Sequence, residues 1–183
     1  DTNVNVCSGN TYFVGGASQS TSGIYYDSLS SINGCDSVIR VNLKIKNLLT
    51  PTILGNKDIC EGDSLLLSTG SFPHYQWSTG DTTDQLVVYN SGKYILKVQD
   101  EDLCVGSDSV IVTVNSLPFV EISLTLKELC KFDTLQLNGS GTENLKWYAY
   151  NLNNLISNND SISFKLIKSP TTIYLQATDA HKC

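Results

Sequence analysis

Methionine is absent from the sequence, histidine occurs only twice, and charged residues make up 16% of the 183 positions. Each shortage closes a class of function. His74 and His181 fall far apart in turn-like settings, so no Ser-His-Asp arrangement assembles around either, and both read as surface histidines. No apolar run approaches the ~18 residues of a membrane span. The net charge of −6 and the lack of a basic stripe argue against nucleic acid. Cysteines never occur as Cys-x-x-Cys, which argues against zinc. No segment sustains the i, i+3, i+4 apolar pattern of a helix. The opening "DTNVNVCSG" has neither a charged nor an apolar leader region, and without an initiator Met the sequence reads as an excerpt of a longer or processed chain.

What is present is repetition. The cysteines stand at 7, 35, 60, 104, 130 and 183. Cys60, Asp63, Ser64, Leu65 and Leu67 recur as Cys130, Asp133, Thr134, Leu135 and Leu137, and Trp77 and Trp147 each follow their cysteine by seventeen positions. Asp100 and Asp179 each precede a cysteine by four. Ser22-Gly23-x-Tyr25 stands before Cys35 as Ser91-Gly92-x-Tyr94 stands before Cys104, with ten positions from tyrosine to cysteine in both. "DSVIRVNL" from Asp36 echoes "DSVIVTVN" from Asp108. Such agreement of spacing and type marks tandem related modules.

Period-two alternation, as at Tyr94, Leu96, Val98 and Val110, Val112, Val114, predicts half-buried strands bounded by Gly, Asn, Asp and Ser. The expected fold is all-β: tandem immunoglobulin-like sandwiches, each with one intramodular disulfide, the first abbreviated. The expected modules are 1–47, an abbreviated β module; 48–116, Ig-like; and 117–183, Ig-like without its last strand. "NLLTPTILG" (Asn47 to Gly55) and "NSLP" (Asn115 to Pro118) read as linkers. Trp77 and Trp147 are expected in the cores, and Tyr94 as a corner tyrosine bonding to backbone. An even cysteine count predicts disulfides and an oxidising compartment. Because each repeat carries its own opening and closing cysteine, the expected pairs are Cys7–Cys35, Cys60–Cys104 and Cys130–Cys183.

"C-x-G-D-S-L-x-L", "Y-x-W-S-T-G", "S-G-x-Y-x-L-x-V-x-D-x-x-x-C" and "G-C-D-S-V" resemble repeats of very large surface and secreted proteins of Bacteroidota. These include gliding-motility adhesins and cargo of the type IX secretion system, with immunoglobulin-like or polycystic-kidney-disease-like modules. The resemblance implies export, an extracellular or cell-surface location, and a role as shaft or spacer; it implies no catalytic residue. It also implies O-glycosylation at Asp-Ser/Thr followed by a residue such as Leu, Val, Ile or Thr, which here places candidates at Ser28, Ser37, Ser64, Thr82, Ser109, Thr134 and Ser161.

The predicted function is therefore a non-enzymatic structural segment of an adhesin or filament. Its expected partners are neighbouring modules of the same chain, and another protein or a surface polysaccharide, with no nucleic acid, membrane insertion, metal or cofactor. The alternative is a carbohydrate- or protein-binding accessory segment of a secreted enzyme. For that, Phe72, Tyr148 and Tyr150 would have to form a stacking platform, or the third module's insertion a long variable loop, whereas aromatics more often cover a core edge. Asp100, Glu101 and Asp102 offer oxygen ligands, but without the alternating spacing of a calcium loop they read as a solvated turn.

Overall fold

The computed structural model describes residues 1–30, 36–124, 130, 132–141, 144–167 and 171–183. The chain forms two compact units: one of Asp1–Lys57 with Ser64–Val112, the other of Asp58–Asp63 with Thr113–Cys183. Among the described residues every regular element is a strand.

In the first repeat the strands are β1 (Thr2–Cys7), β2 (Tyr12–Val14), β3 (Ala17–Gln19), β4 (Gly23–Ser30) and β5 (Asp36–Lys46). β4 and β5 form an antiparallel hairpin, and β1 runs parallel along the other edge of β5, ending with Cys7 opposite Lys46. β2 and β3 make a separate small hairpin. Among the described residues of this repeat, Val14, Val41 and Leu43 are the buried apolar side chains. Among the described residues that is little apolar burial for an independent domain.

The second repeat supplies β6 (Asp58–Cys60), β7 (Leu65–Ser68), β8 (His74–Trp77), β9 (Gln85–Val88), β10 (Gly92–Gln99) and β11 (Val105–Asn115). β7 pairs with β9, while β10 lies between β8 and β11. Alternate residues turn inward, as the period predicts. Leu65, Leu67, Leu86 and Val88 are buried from one sheet, and Trp77, Leu96, Val98, Val110 and Val112 from the other. Pairing the second of these strands with the fourth, the third with the fifth and the fifth with the sixth gives the B–E and C–F–G pairs of the immunoglobulin arrangement.

The third repeat contains β12 (Val120–Leu124), β13 (Thr134–Gly141), β14 (Lys146–Ala149), β15 (Leu155–Ser157), β16 (Ser161–Lys165) and β17 (Ile173–Gln176). Its two sheets have the orders β12-β13-β16 and β15-β14-β17. Leu135, Leu137, Trp147 and Ile162 form the core, with Phe164, Ile173 and Leu175 packed against it. The sequence aligns Ile173 with Tyr94 of the second repeat, and the side chain at this position packs on the core instead of capping a corner.

Both tryptophans lie on the third strand of a sandwich, 2% and 0% exposed for Trp77 and Trp147. An indole buried this deeply keeps one polar group to satisfy. Each meets that need in the same way: Trp77 Nε1 donates to the carbonyl of Thr83 (2.9 Å), and Trp147 Nε1 to that of Asn159 (2.8 Å). The corner expected at Tyr94 is present, its hydroxyl donating to Asn90 O at 2.8 Å. Tyr25 repeats it onto Thr21 O at 2.9 Å. The stretch after Asn47 is docked onto the fold. Pro51 is buried, Ile53 N donates to Asp108 Oδ2 (2.8 Å), and Leu54 bridges to Ser68. A Cβ on Gly106 would stand 2.3 Å from Leu49 O, so only glycine admits this backbone so close to β11.

Trp77→Ala and Trp147→Ala should each lower stability by about 3–5 kcal/mol, as for other large core aromatics. Chemical denaturation followed by circular dichroism measures this, and a loss under about 1 kcal/mol for either would contradict the burial.

Candidate interlocking site of paired cysteine turns

The cysteines occupy two kinds of turn, each written by a short motif. The first kind opens a repeat. Asn10 N donates to Cys7 O (3.0 Å), Asp63 N to Cys60 O (3.0 Å) and Asp133 N to Cys130 O (3.1 Å). Two residues after the cysteine the backbone has positive φ in all three: 91° at Gly9, 92° at Gly62 and 78° at Phe132. Glycine takes this conformation freely, which explains "CSG" and "CEG"; the third turn accepts it at a phenylalanine. The first two turns are also fixed alike to a neighbouring strand, Ser8 N donating to Lys46 O (2.9 Å) and Glu61 N to Asn115 O (2.8 Å).

The second kind closes a repeat, and here the aspartate four residues before the cysteine has its physical role. Asp100 Oδ1 accepts from the backbone N–H of Asp102 (3.0 Å) and Cys104 (2.9 Å). Asp179 Oδ1 accepts in the same way from His181 (2.9 Å) and Cys183 (2.9 Å). The backbone closes identically, with Leu103 N on Asp100 O and Lys182 N on Asp179 O, both 3.1 Å. The residue before the cysteine has positive φ in each, 64° at Leu103 and 68° at Lys182. One carboxylate thus satisfies two amides that the turn would leave unpaired.

Disulfides join an opening turn to the closing turn of the following repeat. Cys7 bonds Cys104 with Cα atoms 5.3 Å apart, and Cys60 bonds Cys183 at 5.4 Å. The sequential pairs Cys7–Cys35, Cys60–Cys104 and Cys130–Cys183 are therefore corrected. Cys130 is a free, exposed thiol, and Cys35 lies outside the described residues. The reason is geometric. Cys7 lies opposite Lys46, the last residue of β5, whereas Cys35 directly precedes Asp36, the first. Ten residues of extended strand span about 33 Å. A disulfide needs Cα atoms within about 7 Å. Cys7 therefore lies at the opposite end of β5 from Asp36.

Around the first bond lies a polar collar that the motifs did not announce. Lys46 Nζ pairs with the Asp102 carboxylate and lies 3.7 Å from Asp100 Oδ2, and Asn5 Nδ2 donates to Asp102 Oδ1 at 2.7 Å. The hydrogen bond to Asp102 raises Lys46 above its ordinary 10.5, and the bonds from Lys46 and then Asn5 lower Asp102 below 3.8. Asp100 and Asp102 of "DEDLC" are thus spent on the turn and on a lysine, and Glu101 is exposed. No cluster of metal-ligating side chains occurs among the described residues.

The other candidates are placed as follows. Ser28, Ser37, Ser64, Thr82, Ser109, Thr134 and Ser161 are all exposed. After Ser64, Ser109, Thr134 and Ser161 the next residue is buried: Leu65, Val110, Leu135 and Ile162. In these four the triplet leads directly into a core residue, whereas Val38 after Ser37 and Thr83 after Thr82 are exposed. His74 and His181 are exposed, His181 Nδ1 lying 3.6 Å from Asp179 Oδ2. Phe72 packs edge-on to Tyr75, Tyr150 edge-on to Phe164, and the Tyr148 hydroxyl bonds Gln176. These aromatics are engaged with their neighbours and form no flat platform.

Comparison with known proteins gives no matching family model and no matching curated protein. Solved structures do match. Murine CEACAM1b is 16% identical over 69% of this chain and 92% of its own, with a TM-score of 0.32. A titin I-band fragment, I67–I69, is 13% identical over 85% and 70%, with a TM-score of 0.35. Sidekick-1 immunoglobulin domains 1–4 are 12% identical over 96% and 70%, with a TM-score of 0.31. The fold assignment rests on the strand pairing above and not on these superpositions.

Non-reducing peptide mapping should recover Cys7–Cys104 and Cys60–Cys183, and no Cys60–Cys104 peptide. Closing a loop of about 100 residues stabilises by roughly 4–5 kcal/mol on the chain-entropy model. Cys7→Ser and Cys183→Ser should therefore each cost about 2–5 kcal/mol, read by denaturant titration. Mapping that found Cys60 on Cys104 would overturn the interlocked scheme.

Asp179 is held below 3.8 by the Cys183 N–H and then by His181. A depressed carboxylate stabilises the folded turn fully above its unfolded value, and this is lost as pH falls through the folded value. Carboxyl NMR titration should give midpoints below about 3.8 for Asp179 and Asp102. A midpoint at or above that value would show that the turn does not depend on the charge.

Proposed function

We propose that this chain is a non-enzymatic structural segment, a shaft or spacer, of a secreted or cell-surface adhesin or filament. The observation that carries this reading is the bonding of two opening cysteines, Cys7 and Cys60, to the closing cysteine of the next repeat. Disulfides of this kind persist in oxidising, extracytoplasmic surroundings. They also shorten the path along which tension travels. From Asp1 to Cys183 the shortest covalent route crosses both bonds and uses about 50 residues, or about 180 Å fully extended, against about 600 Å for the open chain. A segment meant to carry load benefits from such a bypass; an enzyme's binding accessory has no need of it.

The resemblance of the sequence motifs to repeats of exported surface proteins of the type IX secretion kind, including those of gliding motility, supports placing the parent among them. On that reading the exposed Ser and Thr of the Asp-Ser/Thr triplets are the O-glycan attachment points, and neighbouring modules, another protein or a surface polysaccharide are the partners.

Two measurements on this segment and its parent check the reading. Pulled from its ends under oxidising conditions, the chain should stop lengthening near 180 Å, and after reduction it should reach about 600 Å. Antibody to the chain should label intact cells of the source organism, and external protease should remove the label. Labelling only after permeabilisation would overturn the surface assignment.

A further inference from the structure

We propose that Cys130 is the receiving half of a third interlocking disulfide, completed by the closing cysteine of a further repeat that follows it in the same polypeptide. Cys130 heads the same turn as Cys7 and Cys60: its carbonyl accepts from the third residue on, and the second has positive φ. At both of those equivalent positions the turn holds a cystine, and in both the partner sulfur comes from the next repeat's Asp-x-x-x-Cys turn. The third turn is also actively held. Asp133 Oδ2 accepts from Cys130 N at 2.7 Å, and Phe132 N and Leu166 N fix the turn to the end of β16 by bonds of 2.7 and 2.9 Å to Leu166 O and Asp133 O. The thiol it presents is exposed and unbonded. The occupant is defined by chemistry: an aspartate accepting two backbone amides, a positive-φ residue, then cysteine at the turn of a strand hairpin. The order of the two bonds seen, opening turn first and closing turn one repeat later, places that occupant C-terminal to Cys130. This inference stands on the repeat and its bonds, and holds whether or not the parent is an adhesin.

The chemistry is two thiol–disulfide exchanges with a disulfide oxidant such as oxidised glutathione. The Cys130 thiolate attacks one oxidant sulfur, forming a mixed disulfide and releasing one thiolate. The incoming cysteine's thiolate then attacks Cys130 Sγ and displaces the second. Both cysteines lose a proton, and the oxidant takes up two electrons and ends as two thiols.

Two fusions of the full chain test the proposal. In one, residues 105–183 are appended after Cys183, giving the third repeat a following strand like β11 and then a further repeat. In the other, residues 36–104 are appended, giving a strand like β5 and then a copy of the second repeat. Refolded with oxidised and reduced glutathione, alkylated and digested without reduction, the first should join Cys130 to the appended Cys183, and the second to the appended Cys104. Recovery of Cys7–Cys104 and Cys60–Cys183 from the same digest reports that the parent segment has folded. The accessible Cys130 thiol should fall at least tenfold relative to the unfused chain in at least one fusion. Full alkylation of Cys130 in both fusions, or its pairing with Cys183 of its own repeat, would overturn the proposal. So would pairing only between separate molecules, detected as a disulfide-linked dimer.

Discussion

An aspartate carboxylate accepting two backbone amides is the small interaction on which the linkage between repeats depends. It shapes the turn that aims Cys104 at Cys7, and an identical one aims Cys183 at Cys60. Without the acceptor, two amides would have to find other partners, and the positive-φ residue before each cysteine would have no local compensation. The consequence is largest for the first repeat, which buries only Val14, Val41 and Leu43 among its described residues. So small a core gains from a bond into the second repeat, where nine apolar side chains fill a full sandwich. Lys46 and Asn5 reinforce the same junction by gripping Asp102 beside it.

Much of this was legible in the residues. Alternation at Leu65 and Leu67, or at Val110 and Val112, records which side of a strand faces a core, because the strand period is two. Trp77 and Trp147 stand a fixed distance from a cysteine because each lies on the third strand of its sandwich. Ser-Gly-x-Tyr announces a corner because the hydroxyl must reach back four residues. The aspartates before Cys104 and Cys183 were visible as a spacing, though their work as amide acceptors was not.

Pairing was not legible, and the reason lies in the repetition itself. A chain with one opening and one closing cysteine per repeat is equally periodic whether bonds close within a repeat or reach to the next. Strand length decides: β11 sets Cys60 at its far end from Val105, and β5 sets Cys7 at its far end from Asp36. That length is visible in sequence as "DSVIRVNLKIK", but which end of it meets the opening cysteine depends on β1 pairing in parallel, a long-range contact without a local signature. Lys46 was unreadable for the same reason: its carboxylate partners lie more than fifty residues away.

The interleaving of the two bonds also decides how the chain answers to proteolysis. Beyond Cys7, a single backbone cut at any point leaves both fragments in one covalent molecule, since every such position lies between the ends of at least one bond. Bonds closed within repeats would leave the connecting stretches, such as Asn47 to Gly55, as positions where one nick sheds everything beyond it. Here those stretches lie inside a closed loop. A protease working on the exposed turns can therefore scar the segment without releasing what it holds.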